Sequence, residues 1–190
     1  MNICTLVDAI KADLYRYTGA IDKSKMLSCF IVEPGARYIT IMRLTQWLRS
    51  QGLFFRPIYW FSSFLLRHYK YKYGISIPSN TNIAPGFYIG HYGGIVVHCN
   101  VVIGRNCNIN HGVTLGEAYG GKHPGVPKLL DNIYLGPGCK VIGGITIGNQ
   151  VAIGANCVVT SSIPDESVVV GVPGRIISRK GSGSYVINTI

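Results

Sequence analysis

Two spacings of apolar residues divide the chain. Leu6, Ile10, Leu14 and Tyr17 recur at the interval of one helix face, predicting a helix from Thr5 to about Tyr17. Ile39, Leu44 and Leu48 repeat the pattern and predict a second helix from Ala36 to Leu48. A third is predicted from about Ile58 to Lys70, opened by Pro57, whose fixed φ suits a first helical turn, and Gly74 closes the region. Beyond Pro78 the interval becomes six. Ile83, Ile89, Ile95, Val101, Cys107 and Val113 form one ladder, and Ile133, Cys139, Ile145, Val151, Cys157, Ile163 and Val169 form a second.

A six-residue period with a small apolar residue at one position and Gly, Asn or Pro beside it is the pattern of a parallel β-helix of triangular section. Each hexad is a short strand and a corner, and three hexads close a coil of 18 residues. Ile83 is then expected to stack on Val101, Ile89 on Cys107, Ile133 on Val151, Cys139 on Cys157 and Ile145 on Ile163. Such a core forms only when neighbouring coils bury it together. The ladder breaks at 116–132, which must project from a corner as a loop carrying His123. The chain therefore reads as a helical N-terminal segment (1–75), a coil (76–177) and a C-terminal tail (178–190).

Composition narrows the function. With 47% hydrophobic and 14% charged residues among 190, the chain cannot be a disordered polyelectrolyte. Its 24 Gly follow no three-residue period, which excludes collagen. The net charge of +10 favours an anionic partner, and eleven of the 18 basic residues lie in 1–82. No nucleic-acid-binding motif accompanies them, so nucleic acid is not the expected partner. The six Cys show no Cys-x-x-Cys pair and no secretory leader precedes them, so free thiols and a cytoplasmic location are expected. The apolar run Phe54–Leu66 is interrupted by Arg56 and Pro57 and is too short to span a bilayer. Flanked by Arg67, Lys70 and Lys72, it suits either an interfacial helix at the inner face of an anionic membrane or a buried helix or oligomer contact.

The order Ile89-Gly90-His91-Tyr92-Gly93-Gly94-Ile95, then Val113-Thr114-Leu115-Gly116, His123-Pro124 and Gly171-Val172-Pro173-Gly174-Arg175 resembles the hexapeptide-repeat acyltransferases, in particular their serine acetyltransferase branch. The resemblance covers about 76–177. It implies a mainly β fold, a left-handed parallel β-helix behind a helical segment, assembled as a homotrimer with acetyl-coenzyme A in a groove between subunits. It also implies that His91 is the general base and that His123 helps to hold the acceptor. Backbone groups of Gly116, Pro137, Gly138 and Ala155 would face the pantetheine chain, and Lys140 and Arg175, with Arg179 or Lys180, would meet the phosphates.

Two departures bear on the acceptor. Serine acetyltransferases carry Asp immediately before the base and again fifteen residues earlier, where this chain has Gly90 and Ser76. With Gly90, and with Asn110-His111-Gly112-Val113-Thr114, the outline is similar to the O-acetyltransferases of capsule, exopolysaccharide and colanic-acid-type synthesis, so a carbohydrate hydroxyl is the expected acceptor and serine the alternative. Imidazole suits the task, since its ordinary pKa of about 6.5 leaves it largely neutral at pH 7. His111, twenty residues beyond His91, falls near the equivalent corner of the next coil and is a candidate acceptor ligand or alternate base. His98 and His68 read as packed or solvated. The scattered histidines imply no metal, and the ligand set of a carbonic-anhydrase-related coil is not evident. A non-catalytic structural coil is the remaining reading.

Overall fold

The computed structural model describes residues 2–190. Four helices precede the coil: α1 (Ile3–Thr18), α2 (Lys23–Val32), α3 (Pro34–Arg49) and α4 (Arg56–Tyr73). Three coincide with the predicted helices, each lengthened by a few residues. The fourth, α2, has no counterpart in the apolar pattern because it buries only Cys29 and leaves Leu27, Ile31 and Val32 exposed. Its signal is instead Asp22, which caps it by accepting from the Lys25 N–H at 2.8 Å.

Fifteen strands, numbered along the chain, form three faces of a prism. The first face holds β1 (Ile75–Ser76), β4 (Ile95–Val97), β7 (Thr114–Gly116), β10 (Lys140–Ile142) and β13 (Val158–Val159). The second holds β2 (Asn82–Ile83), β5 (Val102–Ile103), β8 (Lys128–Leu129) and β11 (Thr146–Ile147). The third holds β3 (Tyr88–Ile89), β6 (Asn108–Ile109), β9 (Tyr134–Leu135), β12 (Ala152–Ile153), β14 (Val168–Val170) and β15 (Arg175–Ser178). All pairings are parallel except β14 with β15.

All thirteen ladder residues are buried, none more than 5% exposed. The uniform 18-residue stack does not hold throughout. Tyr134 pairs with Ala152 and Lys140 with Val158, as expected for Ile133 over Val151 and Cys139 over Cys157. In the first coil, however, Ile83 pairs with Ile103 and Ile89 with Ile109, twenty residues on, while Ile163 bridges Ile147, sixteen back. Each hexad has two inward positions, both apolar, so the six-residue ladder slides from one to the other without a visible break. The two additional residues of the first coil lie between β3 and β4, in the corner that contains His91.

The projecting loop is also shorter than 116–132. Gly116 belongs to β7, and Lys128 and Leu129 already form β8, with Leu129 buried beneath Ile103. The loop is pinched by reciprocal Ala118 and Gly125 N–H···O bonds of 2.9 and 2.8 Å.

The open end of the first coil would expose unpaired strand groups to solvent. The helices cover it with side chains matched to those groups. Asp13 accepts from the Gly86 and Phe87 N–H groups at 2.8 and 2.9 Å, and Arg43 donates to the Ile83 and Ala84 carbonyls at 2.5 and 2.8 Å. The two residues join in a buried bidentate pair, with Arg43 Nε 2.8 Å from Asp13 Oδ2. The Tyr17 hydroxyl accepts from the Ile89 N–H and donates to its carbonyl, both at 3.0 Å, and the Tyr38 hydroxyl donates to the Ile77 carbonyl at 3.0 Å. The tail beyond β15 is not a free terminus. It folds back so that Tyr185 stacks on Tyr134 with centroids 4.7 Å apart, and Arg16 Nε donates to the Ile187 carbonyl at 2.9 Å.

Candidate active site

The edge where the third face turns into the first collects most of the candidate residues. Successive coils place His91, then His111, then Pro137 and Gly138, then Ala155 at this corner. The His91 and His111 rings meet edge to face with centroids 6.0 Å apart. Both are exposed, and both line an open cleft of about 530 Å³ with Gly90, Tyr92, Glu33, Pro34 and Gly35.

The corner geometry explains the residue types. Gly138 stands at φ +74°, and a Cβ there would fall 2.1 Å from the Asn156 Oδ1. Gly112 donates its N–H to the Gly93 carbonyl at 2.7 Å and Gly138 donates to the His111 carbonyl at 2.8 Å, so the imidazoles ride on a rigid backbone ladder. The same bonding limits the expected cofactor contacts. The Gly138 N–H is committed to His111, and the Pro137 carbonyl already accepts from Asn156 at 2.8 Å. Lys140 Nζ donates to the Gly112 carbonyl, which holds this ammonium at the His111 corner rather than free over a phosphate. Gly116 lies on the first face against Ile142, Ala155 is exposed at the corner, and Arg175 is exposed at the far end of the coil on β15.

His123 does not join this cleft. Its loop leaves from the opposite edge of the first face, where its carbonyl accepts from the Gly144 N–H at 2.9 Å. His98 lies 3.4 Å from Glu117 and His68 packs edge-on against Tyr69, so neither faces His91.

Glu33 escaped the sequence reading. It is the only carboxylate lining the cleft, brought there by the junction of α2 and α3. Gly35 lets α3 approach β3 closely, since a Cβ would fall 2.5 Å from the Ile89 carbonyl oxygen. The available signal was Glu33-Pro34-Gly35 itself, a helix start with Pro in the first turn. Burial pushes the neighbouring Tyr88 hydroxyl above its ordinary pKa, with the charge of Glu33 adding to the rise. The position before His91 carries no acid, and a Cβ on Gly90 would fall 2.8 Å from the Asn110 Oδ1 and 3.1 Å from the Tyr88 ring, so a side chain there requires the Asn110 amide to shift. Ser76 sits on β1 beside Val96 and does not line the cleft.

Burial pushes the thiols of Cys107 and Cys139 up to about 12, and Cys157 upward as well, so these three inward cysteines are packing groups and not nucleophiles. An exposed imidazole pair is left as the cleft's candidate base. Direct activation of a hydroxyl on a bound acceptor is the chemistry it supports.

No family model matches the chain. It is 36% identical over 160 residues to the serine acetyltransferase of Synechococcus elongatus, covering 83% of this chain and 61% of that protein. It is 35% identical over 174 residues to the serine acetyltransferase of Mycobacterium tuberculosis, covering 90% of this chain and 71% of that one. Among solved structures it superposes on the serine acetyltransferase of Brucella abortus in complex with coenzyme A with a TM-score of 0.73 and 28% identity, over 94% of this chain and 68% of that one. The chain thus spans about three fifths of the Synechococcus protein.

Proposed function

The chain belongs to the serine acetyltransferase family, and from that premise we propose that it moves an acetyl group from acetyl-coenzyme A to a hydroxyl oxygen by direct attack on the thioester. The observation that carries this reading is the His91–His111 pair in an open cleft that holds no reactive thiol. One imidazole nitrogen of His91 takes the hydroxyl proton as the oxygen attacks the thioester carbonyl. The tetrahedral intermediate then collapses, the C–S bond breaks, and the imidazolium returns the proton to the leaving thiolate. His111, a ring's width away, holds the acceptor hydroxyl toward His91.

The donor lies along the first face, past Gly116 and the Pro137–Gly138 corner toward Ala155, with Arg175 near its phosphates. Because the Pro137 and Gly138 groups named above already join coils, the pantetheine amides meet the second lone pair of the Pro137 carbonyl and the exposed backbone at Ala155. The coil is wound left-handed and assembles as a trimer, which brings a neighbouring subunit's loop, with its His123, over the His91 cleft.

L-serine is the first acceptor reading, since the relatives described above are serine acetyltransferases. Glu33 then replaces the missing aspartates and pairs with the serine ammonium. A carbohydrate hydroxyl is the second, favoured by the absence of an acid beside His91, where the chain has Gly90. The relatives lend that branch no support, and the missing acid at Gly90 alone recommends it.

Release of coenzyme A thiol, measured with L-serine and with a panel of sugars, tests the reading through Glu33→Gln and Glu33→Ala. With serine as acceptor both variants raise KM about tenfold or more, because either change removes the charge partner of the serine ammonium. With a sugar, Glu33→Gln retains most of the wild-type KM while Glu33→Ala loses it. Release dependent on no hydroxyl acceptor would overturn the assignment.

A further inference from the structure

Helix α4 turns the wrong face outward for a helix in water. Its inner face buries Ser62, Leu66 and Tyr73. Outside stand Trp60, Phe61 and Phe64, 64–66% exposed, and Tyr71 at 75%. At about 100° per residue these four share one sector of the helix. The turn before α4 adds Leu53 at 78% and Phe54 at 87%. An aromatic patch of this extent marks a docking surface.

Charge identifies the partner. Between Glu33 and Glu117 the sequence contains no Asp or Glu. On the helix itself Arg67 borders one side of the aromatic sector and Lys72 the other. Arg67 and Lys70 also line a cleft of about 590 Å³ with Tyr59, Ser63 and Ser79. A second copy docked symmetrically on this face would set basic side chains against basic side chains with no carboxylate between them. A bilayer bearing anionic headgroups satisfies both the apolar and the basic parts. No described helix is long and apolar enough to cross a membrane, so the seating is peripheral.

We propose that α4 docks the protein on an anionic phospholipid surface, with Trp60, Phe61 and Phe64 entering the headgroup boundary and Arg67 and Lys70 holding a lipid phosphate in the adjoining cleft.

Co-sedimentation of the full chain with phosphatidylcholine vesicles, with and without phosphatidylglycerol, tests this. Binding is expected only with phosphatidylglycerol, weakened by salt, with a blue shift of Trp60 emission followed in Trp47→Phe. The triple change Trp60→Ser, Phe61→Ser, Phe64→Ser and the pair Arg67→Glu, Lys70→Glu should each lower vesicle affinity about tenfold or more while leaving the melting transition in place. At matched ionic strength inorganic phosphate should displace the vesicles no more than chloride does, and full displacement by phosphate alone would overturn the membrane assignment. No binding by a folded wild type, equal binding to neutral vesicles, or a triple variant that only lowers the assembly mass by light scattering would each overturn the proposal. The last result would assign the face to contacts between copies. None of these readouts depends on acetyl transfer.

Discussion

In the coil, Cys139 lies under Cys157 and Ile133 under Val151, and any small aliphatic group of similar volume would serve at these inward places. In the helical cap no such interchange is available. Asp13, Arg43, Tyr17 and Tyr38 each meet particular N–H and C=O groups of the first coil. A repeat can be stabilised by pattern because every coil offers the next one the same surface. Its end cannot, because the last strand presents backbone groups in fixed positions that only specific polar side chains satisfy. The candidate catalytic corner lies where the two regimes meet: His91 and His111 come from the repeat, and Glu33 from the cap.

The largest effect that would break this contrast is on the cap. Arg43→Ala leaves Asp13 buried without its partner and should cost about 3–5 kcal/mol by chemical denaturation. The apolar double change Asp13→Leu, Arg43→Met should not restore wild-type stability, because the Gly86 and Phe87 N–H groups and the Ile83 and Ala84 carbonyls would remain unsatisfied. Full recovery would show that the pair is merely filler.

Alkaline titration probes the coil. Cys107 and Cys139 hold their protons up to about 12 when folded, against an ordinary 9.0 when unfolded. Their contribution is therefore complete below pH 9 and is lost as pH rises from there toward about 12, on the order of 1 kcal/mol per thiol by pH 10. Unfolding curves of wild type and Cys107→Ala, Cys139→Ala should diverge less at pH 10 than at pH 8. At the small end, Ile133→Val should cost only about 0.5–1.5 kcal/mol, since it removes one methylene from a position the ladder fills with Val elsewhere. A larger loss would mean that the inward places are individually fitted.

The same contrast explains what could be read from residues alone. The thirteen ladder positions were legible because burial there repeats every six residues. The two-residue insertion beside His91 was not, since Ile89 and Ile95 occupy different inward positions of the hexad and both are apolar. Helix α2 lacked a buried stripe to announce it. His91 and His111 could be placed at one corner by counting coils. Glu33 could not, because its approach depends on how α3 lies across β3, a contact with no period in the sequence. His123 was grouped with His91 by motif, yet the single chain sets it on a different edge.

The most direct test of the His91–His111 corner is acetyl-coenzyme A-dependent thiol release by wild type, His91→Ala, His111→Ala and His98→Ala under saturating donor. With His91 as the base, kcat should fall about 10²–10⁴-fold in His91→Ala, His111→Ala should raise KM for the acceptor, and His98→Ala should stay close to wild type. Wild-type kcat in a folded His91→Ala protein would contradict it.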